Sequence, residues 1–308
     1  MTARFLPCTT LAAAALLASC GGGGDAGHPP PVVTLGSANS VRYSETLTIT
    51  LIGSNLDQTL TLASDGCRDF ARGAGSTATN ATLTCTVSGK TGAQAVTISG
   101  GGVTAAIVPF TVPVPQVSMV VTSSGGVSGT LVITLAPDQA PITVDNFLAY
   151  VKSGFYNNTV FHRHGRTATS TPFVLQGGGY TAPVLSTALF PAPKAASAPI
   201  TLEVGRGLSN GRYSLAMART GVLNSATSEF FINTVNNAFL DTLNGGYAVF
   251  GTVTTGTTLV DAMVAAPCNL SPVNFDAGVP SPPPMGYVPS TDCVPTPNLV
   301  IAGATQTR

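Results

Sequence analysis

The sequence predicts a mostly β protein in two parts, and three observations carry that reading. Short segments alternate apolar and polar residues at period two, as half-buried strands do. Turn-forming residues separate them, with 34 Gly and 23 Pro in 308 residues. Charged side chains make up only 8%, against roughly 25% in an average soluble domain. Hydrophobic residues make up 44%, enough apolar material for two cores at ~150 residues per domain. Thirteen basic and thirteen acidic side chains cancel, and Lys and Arg form no block. This excludes a nucleic-acid partner, which needs a basic patch to neutralise phosphates.

Residues 1–19 read as a secretory signal. Arg4 supplies a positive start, and residues 11–18 are Ala and Leu alone. That run is too short to span a bilayer, which takes about 20 apolar residues. It ends in Leu17-Ala18-Ser19-Cys20, followed by Gly21 to Gly24. This resembles the lipobox of bacterial lipoproteins, whose Cys becomes lipidated and N-terminal; an ordinary cleavable signal is the alternative. The expectation is a lipid anchor on Cys20 in a bacterial cell envelope, stable once more than one acyl chain is attached. Gly21, rather than Asp, after the Cys favours the outer membrane, facing the periplasm. Residues 20–31 then form a Gly- and Pro-rich tether.

Four further Cys remain besides Cys8 and Cys20: Cys67, Cys85, Cys268 and Cys293. Four allow three connectivities, and export favours disulfides. The local pairs Cys67–Cys85 and Cys268–Cys293 each fall within one expected domain. Each closed loop is worth about 3 kcal/mol on the chain-entropy model. A zinc site is the alternative, but no Cys-x-x-Cys occurs and the His residues lie elsewhere in the chain. No metal is expected.

Residues 32–113 carry strand patterns at Leu47-Thr48-Ile49-Thr50-Leu51, Leu83-Thr84-Cys85-Thr86-Val87 and Ala95-Val96-Thr97-Ile98, and no helix. This predicts an immunoglobulin-like β-sandwich. No His, carboxylate or nucleophile cluster occurs there, so a spacer or docking module is expected. Pro109, Pro113 and Pro115 suggest a short stiff link. From residue 116 to residue 308 the texture changes. Leu131-Val132-Ile133-Thr134-Leu135 reads as a strand. Pro141 then opens a helix, being tolerated in a first turn. Val144, Phe147, Leu148 and Val151 fall on one helical face, and Gly154 ends it. A second helix is expected over residues 257–265.

Within this second part stand Phe161-His162-Arg163 and Phe173-Val174-Leu175-Gln176-Gly177-Gly178. They are followed by Ser214-Leu215-Ala216-Met217-Ala218-Arg219-Thr220 and Ser228-Glu229-Phe230-Phe231-Ile232-Asn233. A third block is Asn237-Ala238-Phe239-Leu240-Asp241, leading to Gly246-Tyr247-Ala248-Val249-Phe250-Gly251. In these ordered blocks residues 116–308 resemble the cyclophilin peptidyl-prolyl isomerases, and the bacterial secreted members in particular. The resemblance implies a closed, mostly antiparallel eight-stranded barrel with two helices. It also implies cis/trans isomerisation of X–Pro bonds in proline-containing polypeptides, here exported ones, with no cofactor.

Unaided rotation about an X–Pro bond crosses a barrier of about 20 kcal/mol. A catalyst must favour the twisted amide over either planar form. The twisted prolyl nitrogen gains a lone pair, so a fixed cationic donor helps, beside an apolar pocket for the ring. Family roles map onto Arg163 as that donor and onto Gln176 as the amide that orients it near the substrate carbonyl. Phe173, Val174, Phe231 and Leu240 match the proline pocket, Ala218 and Arg219 the strand that pairs with the peptide, and Phe239 and Tyr247 the rim.

The pattern also departs from the family. Nine residues, 164–172, separate Arg163 from Phe173, a longer loop than the family has; it can leave the site intact, cover it or displace the arginine. Val174 stands in place of a Met. Glu229 replaces a Gln lining the peptide groove, and is expected to pair with Arg163 or Arg219 in competition with substrate. His162 reads as structural packing, His164 has no evident third ligand beside it, and Glu203 and Asp241 read as loop or strand-end charges. The longer loop and Glu229 leave one alternative function, a non-catalytic proline-peptide clamp or chaperone; a second alternative is a surface adhesion or assembly protein acting through the sandwich.

Overall fold

The computed structural model describes residues 29–167, 171–182, 193–270 and 292–308. The expected signal, Cys20 and most of the tether lie outside the described residues, as do residues 168–170 of the long loop, residues 183–192 and residues 271–291.

Seven strands come first: β1 (Val32–Ala38), β2 (Thr46–Ser54), β3 (Thr61–Ala63), β4 (Cys67–Arg72), β5 (Asn80–Val87), β6 (Gly92–Gly100) and β7 (Val103–Val112). They form two antiparallel sheets, ordered β1-β2-β5-β4 and β3-β6-β7. The period-two pattern sorts them as alternation demands. Leu47, Ile49 and Leu51 of β2, with Ala81, Leu83 and Cys85 of β5, are buried. They share one apolar cluster with Val96, Ile98, Val108 and Phe110 of the other sheet. The Cys67–Cys85 disulfide, with Cα atoms 5.7 Å apart, joins the neighbouring strands β4 and β5 within one sheet. An immunoglobulin-type bridge would instead pin the two sheets together. Pro109 belongs to β7, paired with Ala95, and not to the link; β7 is a sheet edge, where a missing N–H is tolerated.

The second part runs β8 (Gln116–Thr122), β9 (Gly129–Leu135), α1 (Pro141–Lys152), β10 (Thr159–Arg166), β11 (Pro172–Thr181), β12 (Ser214–Met217), β13 (Phe230–Asn233), β14 (Val249–Thr255), α2 (Thr257–Ala265), β15 (Cys268–Leu270), β16 (Cys293–Pro295) and β17 (Leu299–Gln306). Eight strands follow the order β11-β13-β12-β14-β9-β8-β17-β10, and β10 pairs back onto β11. The sheet is therefore a closed, antiparallel, eight-stranded barrel with two helices. The short hairpin β15–β16 is added at the end of β10, through His164 opposite Cys293.

The expected helical face of α1 is the buried one: Val144, Phe147, Leu148 and Val151. Phe147 is central to an aromatic cluster, with ring centroids 5.1 Å from Phe250, 5.3 Å from Tyr156 and 5.7 Å from Phe230. Gly178 passes this cluster at φ +89°, where a Cβ would meet the Tyr156 ring at 2.9 Å, so no larger residue fits. Glu203 is no loose loop charge. It is buried and accepts hydrogen bonds from Thr143 N at 2.8 Å and Thr143 Oγ1 at 2.9 Å, placing an anion at the positive end of α1.

The two parts touch directly. Arg42 Nη1 donates to Gln306 O, and Gln306 Nε2 to Tyr43 O, both at 2.9 Å. Arg68 pairs with Asp145 at 3.0 Å, and Thr91 N donates to Asp138 Oδ1 at 2.8 Å. Phe147→Ala should lower the unfolding free energy by about 3–5 kcal/mol through the cavity left among three aromatic rings; urea denaturation followed by near-ultraviolet circular dichroism measures it.

Candidate active site

Cross-strand neighbours in a sheet project to the same face. Arg163 of β10 is opposite Gln176 of β11. Gln176 is opposite Phe231 of β13, Phe231 opposite Ala216 of β12, and Ala216 opposite Val249 of β14. One continuous row thus sets a cation, an amide, an aromatic ring and two aliphatic groups side by side. The adjacent row, Leu175, Ile232 and Leu215, points inward and belongs to the barrel core. The functional row therefore faces outward.

Around it lies a separate apolar cluster: Val174, Ala216, Phe231, Leu240 and Val249, with Phe173, Leu208, Ala218 and Tyr247 packed against it. Every residue matched above to the proline pocket is in this cluster. Tyr247 meets Phe231 edge-on at 5.7 Å. Phe239 is half exposed, with its ring 6.1 Å from Phe173, at the rim. Ala218 N donates to Glu229 O at 2.9 Å, so the edge expected to receive peptide has this N–H engaged within the chain.

Buried amides brace the wall from behind. Asn237 Nδ2 donates to Phe173 O at 2.7 Å and to Asn233 Oδ1 at 2.8 Å. Asn233 Nδ2 donates to Ser214 Oγ at 2.9 Å. Asp241 accepts from Asn210 N and Nδ2, each at 2.8 Å, and from Ser209 Oγ, fixing the turn that carries Phe239 and Leu240. Burial pushes the Asp241 carboxyl up, but these donors outweigh it and hold it below the usual range. Asn233 and Asn237 stood in the sequence motif without a role; their partners Ser214 and Phe173 lie on other strands, and strand patterns do not say which strands become neighbours.

Arg163 is 8% exposed. Its Nη1 donates to Gln176 Oε1 at 2.8 Å and its Nε to Asp292 Oδ2 at 2.7 Å. The described part of the long loop extends the β10–β11 hairpin, with Gly165 opposite Val174 and Arg166 opposite Pro172. Arg163 stays in register with Gln176 as a result.

Glu229 does not pair as expected. Gln176 Nε2 donates to its Oε2 at 2.8 Å, and His162 Nε2 lies 3.2 Å from the same oxygen. Burial raises the Glu229 carboxyl, but His162, Gln176 and the charge of Arg163 together hold it below its ordinary value. Arg219 turns instead to carbonyls. It donates to Gly246 O, Asn244 O and Thr220 O at 2.7–3.1 Å and lies 4.6 Å over the Tyr247 ring. The carboxylate on Arg163 is Asp292, which sequence reading missed because it is 129 positions away; its only signal is its place beside Cys293.

The second disulfide joins Cys268 and Cys293, with Cα atoms 5.5 Å apart. His164 lies against it, Nδ1 at 3.8 Å from Cys268 Sγ. His164, Cys268 and Cys293 thus bring three donor atoms within 4.8 Å of one another, a grouping their sequence positions do not suggest. Both sulfurs are committed to the disulfide.

Residues 118–277 match the model of a family described as cyclophilin type peptidyl-prolyl cis-trans isomerase/CLD. Among similar proteins, the peptidyl-prolyl cis-trans isomerase cyp18 of Streptomyces antibioticus is 47% identical over 141 residues, 44% of this chain and 78% of its own length. The peptidyl-prolyl cis-trans isomerase B of Escherichia coli K12 is 45% identical over 138 residues, 43% of this chain and 77% of its own. A peptidyl-prolyl cis-trans isomerase of Acinetobacter baylyi is 43% identical over 141 residues, 45% of this chain and 69% of its own.

Burial pulls the His164 imidazole from 6.5 down to about 4, and the Arg166 cation adds to the shift against an opposing pull from Asp292. The unfolded chain therefore takes up this proton first. The stability concerned is present above pH 6.5 and is lost as pH falls toward 4. Urea midpoints should show a loss of about 2 kcal/mol between pH 7 and pH 5 from this group, and His164→Asn should reduce the slope over that window by the same amount.

Proposed function

The chain belongs to the cyclophilin-type peptidyl-prolyl cis-trans isomerase family and isomerises X–Pro peptide bonds, and we propose that it acts on exported polypeptides from a lipid anchor, with Arg163 as the cation at the reacting bond. The observation that carries this assignment is the outward row in which Arg163, held by Gln176 at 2.8 Å, borders the apolar cluster around Phe231.

The reaction needs no bond made or broken to the enzyme. Phe173, Val174, Phe231 and Leu240 hold the proline ring while the preceding carbonyl swings. The guanidinium donates to the prolyl nitrogen as that nitrogen loses resonance, an interaction weaker in either planar form. Gln176 has its rotamer set from both ends, Oε1 taken by Arg163 and Nε2 given to Glu229. On this reading Glu229 is no competitor of substrate; it fixes the amide that fixes the arginine. Arg219 and Tyr247 form a rigid flank beside the pocket, with Phe239 at its mouth and Ala218 on the adjoining strand.

Anchoring follows from the expected signal and Cys20. Residues 32–113 act as a spacer of immunoglobulin-like type between a bacterial envelope membrane, the outer one facing the periplasm, and the barrel. What supports this is the Leu-Ala-Ser-Cys block after an apolar run and the two-sheet architecture behind it.

Line-shape NMR on an Ala-Pro peptide tests the catalytic assignment. Wild-type protein should broaden the cis and trans signals, and Arg163→Ala should lower kcat/KM by about 10²–10³-fold, as loss of one transition-state donor does. Arg163→Lys should recover little, since an ammonium lacks the planar fork. A folded Arg163→Ala protein with full exchange activity refutes the assignment. For the anchor, Cys20→Ser should abolish palmitate labelling and move the protein from the membrane pellet to the soluble fraction; unchanged labelling sinks that reading.

A further inference from the structure

We infer that Asp292 is a positioning residue for Arg163, and that the Cys268–Cys293 disulfide holds it in place. The inference rests on Arg163 being the catalytic cation of the reaction proposed above.

Asp292 is 3% exposed. Its two carboxylate oxygens are divided between two groups of one strand: Oδ2 accepts from Arg163 Nε at 2.7 Å, and Oδ1 from the backbone N of Arg166 at 2.8 Å. The first is a charge-assisted bond at the short end of its range. The second fixes the carboxylate against β10, so its position does not depend on the arginine alone. Gln176 takes a different nitrogen of the guanidinium, Nη1. One acceptor leaves the planar group free to pivot about that bond, whereas two acceptors on different nitrogens define its plane. Each thereby has its own part in aiming the donor at the pocket.

The segment that carries Asp292 is packed through Val294, which is buried against Val160, but it has little strand pairing of its own. It enters β16, a strand of three residues that meets β10 in a single pair, His164 opposite Cys293. Its other neighbour, β15, is equally short. A two-stranded hairpin of this size is not stable alone in water. The covalent link falls on Cys293, the residue next to Asp292, and ties it to Cys268 directly after α2. The disulfide itself docks on β10, where Arg166 Nη2 donates to Cys268 Sγ at 3.2 Å and His164 Nδ1 lies 3.8 Å from the same atom. The cross-link thus stands between the exit of α2 and the carboxylate that sets the catalytic side chain.

Activity should then depend on the state of this disulfide. A dithiol such as dithiothreitol supplies two electrons and two protons; the S–S bond becomes two thiols, and the reagent closes to its own disulfide. Because it also opens Cys67–Cys85, the experiment is run on the mature chain in a Cys67→Ser/Cys85→Ser background. Exchange NMR on an Ala-Pro peptide gives kcat and KM. Asp292→Ala should lower kcat about 10- to 100-fold, the scale of a misplacement near 1 Å, with KM unchanged because the pocket is untouched. Asp292→Asn, which keeps an acceptor, should lose less. Reduction, or Cys268→Ser/Cys293→Ser, should lower kcat by a similar factor in the Asp292 protein and cause no further loss in Asp292→Ala. The Arg163 Nε–H resonance should shift in each defective form. A general loosening of the fold would instead add to the Asp292→Ala loss and raise KM, and either result overturns the inference. Full kcat in Asp292→Ala, beside an inactive Arg163→Ala, also overturns it and leaves the catalytic reading standing. Activity surviving Arg163→Ala overturns both.

Discussion

Closure of the barrel by the β10–β11 pair is the constraint on which the site depends. A closed antiparallel sheet has no free edge, and every strand must alternate between core and surface. Once Leu175, Leu215 and Ile232 are committed to the interior, their neighbours Gln176, Ala216 and Phe231 have to face out. The register then decides which outward residues meet. A shift in that register between Phe161 and Arg163 marks an irregularity in β10 next to Arg163, and irregularities of this kind re-aim side chains. Up to Phe161 the strand pairs with β17; beyond it, at His164, it takes β16 as its partner. Arg163 occupies the changeover, so residues brought by two different strands can reach it.

With so few charges in the chain, their placement is informative. Arg163 and Asp292 are both nearly buried, and such a pair contributes little net stability because desolvation offsets attraction. Removing one partner is the costly event. The arrangement is thus better understood as fixing geometry than as adding stability. Glu229 belongs to the same network, joined to Arg163 through the amide of Gln176.

Much of this was legible in the sequence. Period-two segments in residues 32–113 became strands because one face of each is buried, and α1 lies where amphipathic spacing, Pro141 and Gly154 put it. Ordered blocks of sequence carry Phe173, Val174, Phe231 and Leu240, and the fold brings these four into one apolar cluster. What stayed hidden depends on distant parts of the chain meeting. Asp292 reaches Arg163 only after the disulfide and β16 return that segment to β10. Glu229 was expected to meet an arginine on grounds of charge alone, yet Gln176 fills the space between it and Arg163, and nearby carbonyls take up Arg219. Glu203 reads as a loop charge until the loop folds back onto the first turn of α1. Pro109 suggests a linker until β7 is known to be an edge.

The contacts between the two parts bear on how an anchored isomerase would work. The hydrogen bonds and ion pairs between them fall on Asp138, Asp145, Lys152 and Gln306 of the barrel. None of these residues lies in the cluster around Phe231 or in the Arg163 row. The first part thus grips the barrel along α1, by the turn before it and by the end of β17, while the apolar cluster opens on β10 to β14. A flexible tether alone would let the barrel tumble and turn its pocket toward the bilayer. A spacer fixed to the barrel away from the pocket restricts that motion and keeps the apolar face out of the contact between the two parts. Apolar surface left exposed for a proline ring is also surface that a lipid or a neighbouring domain would cover. Holding it apart is therefore a physical requirement of the proposed function, and the placement of these few polar contacts meets it.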